Sequence, residues 1–177
     1  MVGLEPAKWE SFALGQLGAS AALLGLVFVG ISINLQNVLS SRRLVDRAAE
    51  AVLLLASILL GSTAVLLPEQ SARTLGVELA VLGAVLLVGV LVFQRSLHLP
   101  VAAADAAEGE TGDANEPRVA HFVRRLLGVG ASGLVLVAAG CLIGDVDGAL
   151  YWWAGAIVLA YVGALTSAWV LLIEILR

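Results

Sequence analysis

The sequence predicts an all-α, polytopic membrane helix bundle of five transmembrane helices, with the N-terminus outside and the C-terminus in the cytoplasm. Three observations predict it: an unusually apolar composition, five apolar runs of bilayer-spanning length, and arginines gathered on one side of those runs. Of 177 residues, 60% are hydrophobic and only 14% charged, and the mean hydropathy is +0.98. A soluble domain is about one quarter charged. A water-soluble chain this apolar would expose contiguous apolar surface that promotes association. Spanning a hydrocarbon core about 30 Å thick at about 1.5 Å per residue takes roughly 20 apolar residues in a helix. Helices are required because an unpaired backbone amide in lipid is too costly, and the period-2 alternation of a transmembrane barrel is missing.

The first run, Phe12–Leu35, follows a nearly neutral tail (Glu5, Lys8, Glu10) with no basic segment ahead of it. It therefore reads as an uncleaved helix and not as a secretory signal. Gly18, Ala22, Gly25, Val29 and Ser32 recur at 4-3-4-3 spacing and share one stripe. Gln16, Ser20 and Asn34 fall on the opposite stripe with Leu23, Val27 and Gly30. Gln16 and Asn34 point the same way, because eighteen residues complete about five turns at 3.6 residues each. A small face allows close backbone approach, and amides hydrogen-bond across helices or line a pore. This helix is expected at the bundle centre or at a subunit interface.

The second and third runs, Ala48–Leu67 and Leu75–Phe93, are rich in Leu and Val, and Pro68 lies just past the former. They are expected to face lipid more than the others. In the fourth, Leu126–Gly144, the positions Gly130, Gly133, Val137, Gly140 and Gly144 step by 3-4-3-4 and end in a GxxxG pair. In the fifth, Leu150–Ile173, Ala156, Ala160, Ala164 and Ala168 recur every fourth residue beside Gly163 and Ser167. The reading is a packed core of spans one, four and five.

Orientation follows from the cations. Arg42, Arg43, Arg47, Arg95, Arg118, Arg124, Arg125 and Arg177 fall on one side of a five-span chain, and Lys8 and Arg73 on the other. This positive-inside pattern, with arginine outnumbering lysine nine to one, suggests a bacterial inner (plasma) membrane. Trp9, Tyr151, Trp152 and Trp153 gather at the expected outer interface, and Phe93, Phe122 and Trp169 near the inner one, as anchoring rings do. The whole chain, 1–177, reads as one transmembrane domain. Its acidic cytoplasmic loop, at about 98–117, cannot bury enough apolar surface to fold alone. Asp105, Glu108, Glu110, Asp113 and Glu116 in that loop account for the net charge of −4.

No catalytic constellation is present. His98 and His121 flank the acidic loop without a metal-binding spacing, and Cys141 is alone in an apolar run. No cofactor or metal is expected, and no basic patch with interleaved aromatics points to nucleic acid. Ionisable groups deep in a membrane usually mark function. Glu50, Glu78 and Glu174 all lie within about two turns of a span end, about 11 Å along the helix. The reading is that no acid is buried, which argues against proton-coupled transport. Glu174 and Arg177, three residues apart, form a local ion pair or a cytoplasmic contact. The expected partners are the lipid bilayer and, within it, the protein itself or other membrane proteins.

The run Gly18 to Asn34 (GASAALLGLVFVGISIN) and the segment Ala168 to Arg177 (AWVLLIEILR) resemble a group of small actinobacterial integral membrane proteins. Some of these carry the name modulator of FtsH protease. The resemblance implies a multi-pass membrane protein with an accessory role and assigns no functional residues. The function expected is that of a non-enzymatic accessory, modulator or self-associating membrane component. The alternative is a homo-oligomeric channel lined by Gln16, Ser20 and Asn34.

Overall fold

The computed structural model describes the backbone of residues 6–33, 35–40, 42–95 and 118–175, and the side chains of 9–33, 35, 36, 38, 39, 44–94 and 122–169. Six helices follow in order: α1 (Pro6–Ile33), α2 (Leu35–Ser40), α3 (Arg42–Val65), α4 (Ala72–Arg95), α5 (Arg118–Ile143) and α6 (Ala149–Ile175). No strand occurs among the described residues. Five stretches are long and apolar enough to cross a membrane: Trp9–Ile33, Leu44–Val65, Ala72–Gln94, Phe122–Ile143 and Ala149–Trp169. They correspond one for one with the five predicted runs.

The boundaries differ at the ends. α5 starts at Arg118, ahead of the apolar run at Leu126, because a helix satisfies its own backbone whether or not its side chains are apolar. The first span ends at Ile33, and the one-and-a-half-turn α2 carries the chain toward α3.

The connections on the other side show their causes. Ser71 caps α4, its Oγ accepting from the Thr74 N–H at 3.1 Å. α5 ends in a Schellman turn, with the Val146 N–H on the Cys141 carbonyl at 2.8 Å and the Asp145 N–H on that of Leu142 at 3.4 Å. Asp145 holds the left-handed position, φ 56°, that glycine usually fills.

α3, α4, α5 and α6 form a closed ring in which each helix packs on the next and α6 returns to α3. The α4–α5 and α5–α6 interfaces are the most extensive, and α1 lies outside the ring with α3 as its main neighbour. This corrects the expected core of spans one, four and five. The second span, expected to face lipid, is the hub: α3 buries Ala51, Leu54, Leu55 and Ile58 and touches α1, α4 and α6. The third span makes its close contacts through glycines that its Leu/Val-rich sequence disguises. A Cβ on Gly76 would lie 2.8 Å from Ile143 Cγ1 and 3.1 Å from the Ala139 carbonyl oxygen. One on Gly83 would lie 3.0 Å from Leu136 Cδ2. Removing two side chains lets α4 and α5 approach as closely as small-residue interfaces in lipid require.

An aromatic cluster ties α1 to this ring at the end that carries only Lys8 and Arg73 of the cations. Trp9, Phe12, Tyr151 and Trp153 meet edge to face at centroid distances of 5.0–5.9 Å. Trp153 is not an interfacial anchor. It is 1% exposed, and its Nε1 would stand 3.0 Å from any Cβ placed on Gly61 of α3.

Candidate functional site

α1 carries the features from which a function can be built. Gly18, Ala22 and Gly25 face away from the ring and are exposed, as are Val29 and Ser32 on the same stripe. No atom lies within 4 Å of where a Cβ on Gly18 or Gly25 would be. The opposite stripe turns inward. Ser20 is fully buried and returns its hydroxyl to the Leu17 carbonyl of its own helix at 3.1 Å. Gln16 is half-buried, and its backbone carbonyl accepts from the Tyr161 hydroxyl of α6 at 3.4 Å. The Gln16 side-chain oxygen is buried without a hydrogen-bond partner. Asn34 and Arg177 lie outside the described residues, as do the acidic segment 98–117 and the side chain of Glu174.

Beyond Ser20, residues of α1, α3 and α6 line an apolar cleft of about 230 Å³. Leu23, Val27 and Ile31 form one wall, Ala164 and Ala168 the other, and Leu55 of α3 the floor. Val38 of α2 contributes to its lining, and Val38 packs with Leu44 and Ala48 against Ile31. Of the four alanines of the α6 stripe, Ala156, Ala160 and Ala164 are buried and Ala168 is half-buried, and Ala164 is shared between the ring and this cleft.

The glycines of α5 divide. Gly130 meets α6, where its Cβ would lie 3.3 Å from Leu159 Cδ1, whereas Gly133 and Gly140 have open space beside them. Gly144 belongs to the Schellman turn, its N–H on the Gly140 carbonyl at 2.9 Å.

A polar node inside the ring has no signature in the local sequence pattern. Glu50 of α3 is 1% exposed, which corrects the expectation that no acid is buried. Its Oε2 takes a charge-assisted hydrogen bond and ion pair from Arg124 of α5, and its Oε1 accepts from Gln94 Nε2 of α4 at 3.3 Å. Gly128 makes room for the node, since a Cβ there would stand 3.3 Å from Gln94 Nε2 and 3.5 Å from Glu50 Oε1. Asp46 and Arg47, one turn earlier on α3, are buried as well. The node joins three helices, and its two full charges cancel. It links α3 and α5 across the ring, with α4 joined through Gln94.

Cys141 is a partly buried free thiol packed against the core. Among the described residues no three His, Cys, Asp or Glu side chains are grouped to hold a metal ion. No family model, curated protein or solved structure matches this chain.

Proposed function

We propose that the protein is a non-enzymatic accessory or modulator component of the bacterial inner membrane that works by pairing with a second copy of itself through the outer face of α1. One observation carries the reading. The Gly18–Ala22–Gly25 stripe is exposed along α1 with nothing packed on Gly18 or Gly25, whereas Gly76, Gly83, Gly89 and Gly128 are met by neighbouring helices and only Gly133 and Gly140 of α5 are comparably open among the stripe glycines of the ring. Lipid tails give no hydrophobic drive for helix association, so close backbone contact is what a smooth stripe offers. The arginine distribution supports an arrangement with the N-terminus outside and the C-terminus in the cytoplasm.

Native mass measurement of the full chain, extracted in mild detergent, tests this. A dimer is expected, and Gly18→Val with Gly25→Val shifts it to monomer while leaving the helical fold of the monomer intact. A strictly monomeric wild type, or a dimer indifferent to both substitutions, overturns the reading.

A further inference from the structure

We propose that the cleft between α1 and α6 holds one acyl chain of an anionic phospholipid whose headgroup sits at the arginine-bearing end of the bundle. The inference is independent of the pairing reading, because the cleft lies on the inward side of α1 and the stripe on the outward side.

The shape selects a chain. From Leu23 to Ile31 the cleft extends along eight residues of α1, about 12 Å of helix at about 1.5 Å per residue. Gly30 adds no side chain to it, and nothing lies within 4 Å of where its Cβ would be. Ala164 and Ala168 keep the opposite wall low. The result is a trough running with the helices. An apolar trough does not hold water stably, and left vacant it forfeits dispersion contacts along its whole lining. Between helices that cross a bilayer, the molecule at hand is hydrocarbon.

Charge selects the headgroup. Hydrocarbon gains little by leaving other hydrocarbon, so a retained lipid needs good fit and a held headgroup. Val38 of α2 lines the cleft, and α3 begins with Arg42 and Arg43 four and five positions later. The residues between them, Leu39, Ser40 and Ser41, carry no acid. By chain position the first two turns of α3 carry Arg42, Arg43 and Arg47 against one acid, Asp46, and a net positive helix start following the cleft-lining Val38 complements a phosphate that bears net negative charge.

The test uses the wild-type full chain in nanodiscs and phosphatidylglycerol with a photoreactive group at mid-chain. Peptide mapping after irradiation is expected to find residues 23–31 and 164–168 labelled several-fold more than the exposed Val81–Val85–Val88 face of α4. A chain-matched phosphatidylcholine probe is expected to label the cleft several-fold less. Gly30→Leu, which fills the trough, removes the excess, and Arg42→Gln with Arg43→Gln brings the two lipids to parity. Even labelling of cleft and α4 face overturns the proposal, as does a phosphatidylglycerol preference that survives loss of both arginines. A dimer that dissociates on Gly30→Leu would make a second copy the occupant and also overturn it.

Discussion

Gly76 and Gly83 on α4 and Gly18 and Gly25 on α1 are both pairs set seven residues apart, yet their surroundings are opposite. On α4 a Cβ at either site would stand about 3 Å or less from α5 atoms, and on α1 it would meet nothing within 4 Å. The two helices lie on different flanks of α3. The α4 flank is knitted by glycine contacts and by the Glu50–Gln94–Arg124 node. The α1 flank is held by an aromatic cluster at one end and opens into a cleft toward the other. A smooth stripe thus records that a helix permits close approach. It does not record whether its own chain or another molecule makes that approach.

The contrast can be attacked first at its strongest point. Arg124→Ala leaves Glu50 buried without its countercharge and is expected to cost about 3–5 kcal/mol, measured by reversible unfolding in mixed micelles. Converting both Glu50 and Arg124 to Met is expected to recover most of that loss, because two well-packed apolar side chains need no pairing. If the single and double variants lose the same amount, the node does not tie α3 to α5.

Gly76→Val comes next, at about 1–3 kcal/mol of overpacking, since one of the atoms it meets is a backbone oxygen that cannot swing aside. Its mirror on the open flank, Gly18→Val, is expected to stay within about 0.5 kcal/mol in the monomer. Equal losses at the two sites would erase the distinction between the flanks. The smallest effect is reserved for Asp145→Gly. It relieves a left-handed residue in the α5–α6 turn and is expected to stabilise by up to about 1 kcal/mol, read as a rise in Tm.

The five spans were legible because bilayer thickness imposes a length that any apolar run of roughly 20 residues reveals. The neighbours of each span were not. Gly130 and Gly133 sit on one predicted stripe, yet Gly130 meets Leu159 and Gly133 meets open space. Helical spacing locates a face only relative to its own axis. Gly76 and Gly83 could have been found by the same seven-residue spacing, but the Leu and Val around them pointed to lipid. Trp153 reads as an interfacial ring from its position beside Trp152, and only Gly61 opposite explains its burial. Glu50 lies near the end of its span, where a carboxylate ordinarily reaches water, and its partners are 44 and 74 residues away. Local spacing cannot show such a pairing.

That separation has a consequence for biogenesis. Glu50 emerges from the ribosome well before the arginine that neutralises it. At about 5–20 residues per second, the 74 residues between them take roughly 4–15 s to synthesise. During that interval α3 carries Glu50 without its Arg124 partner, with Gln94 arriving first. The Glu50–Arg124 pair can therefore form only after α5 has been made.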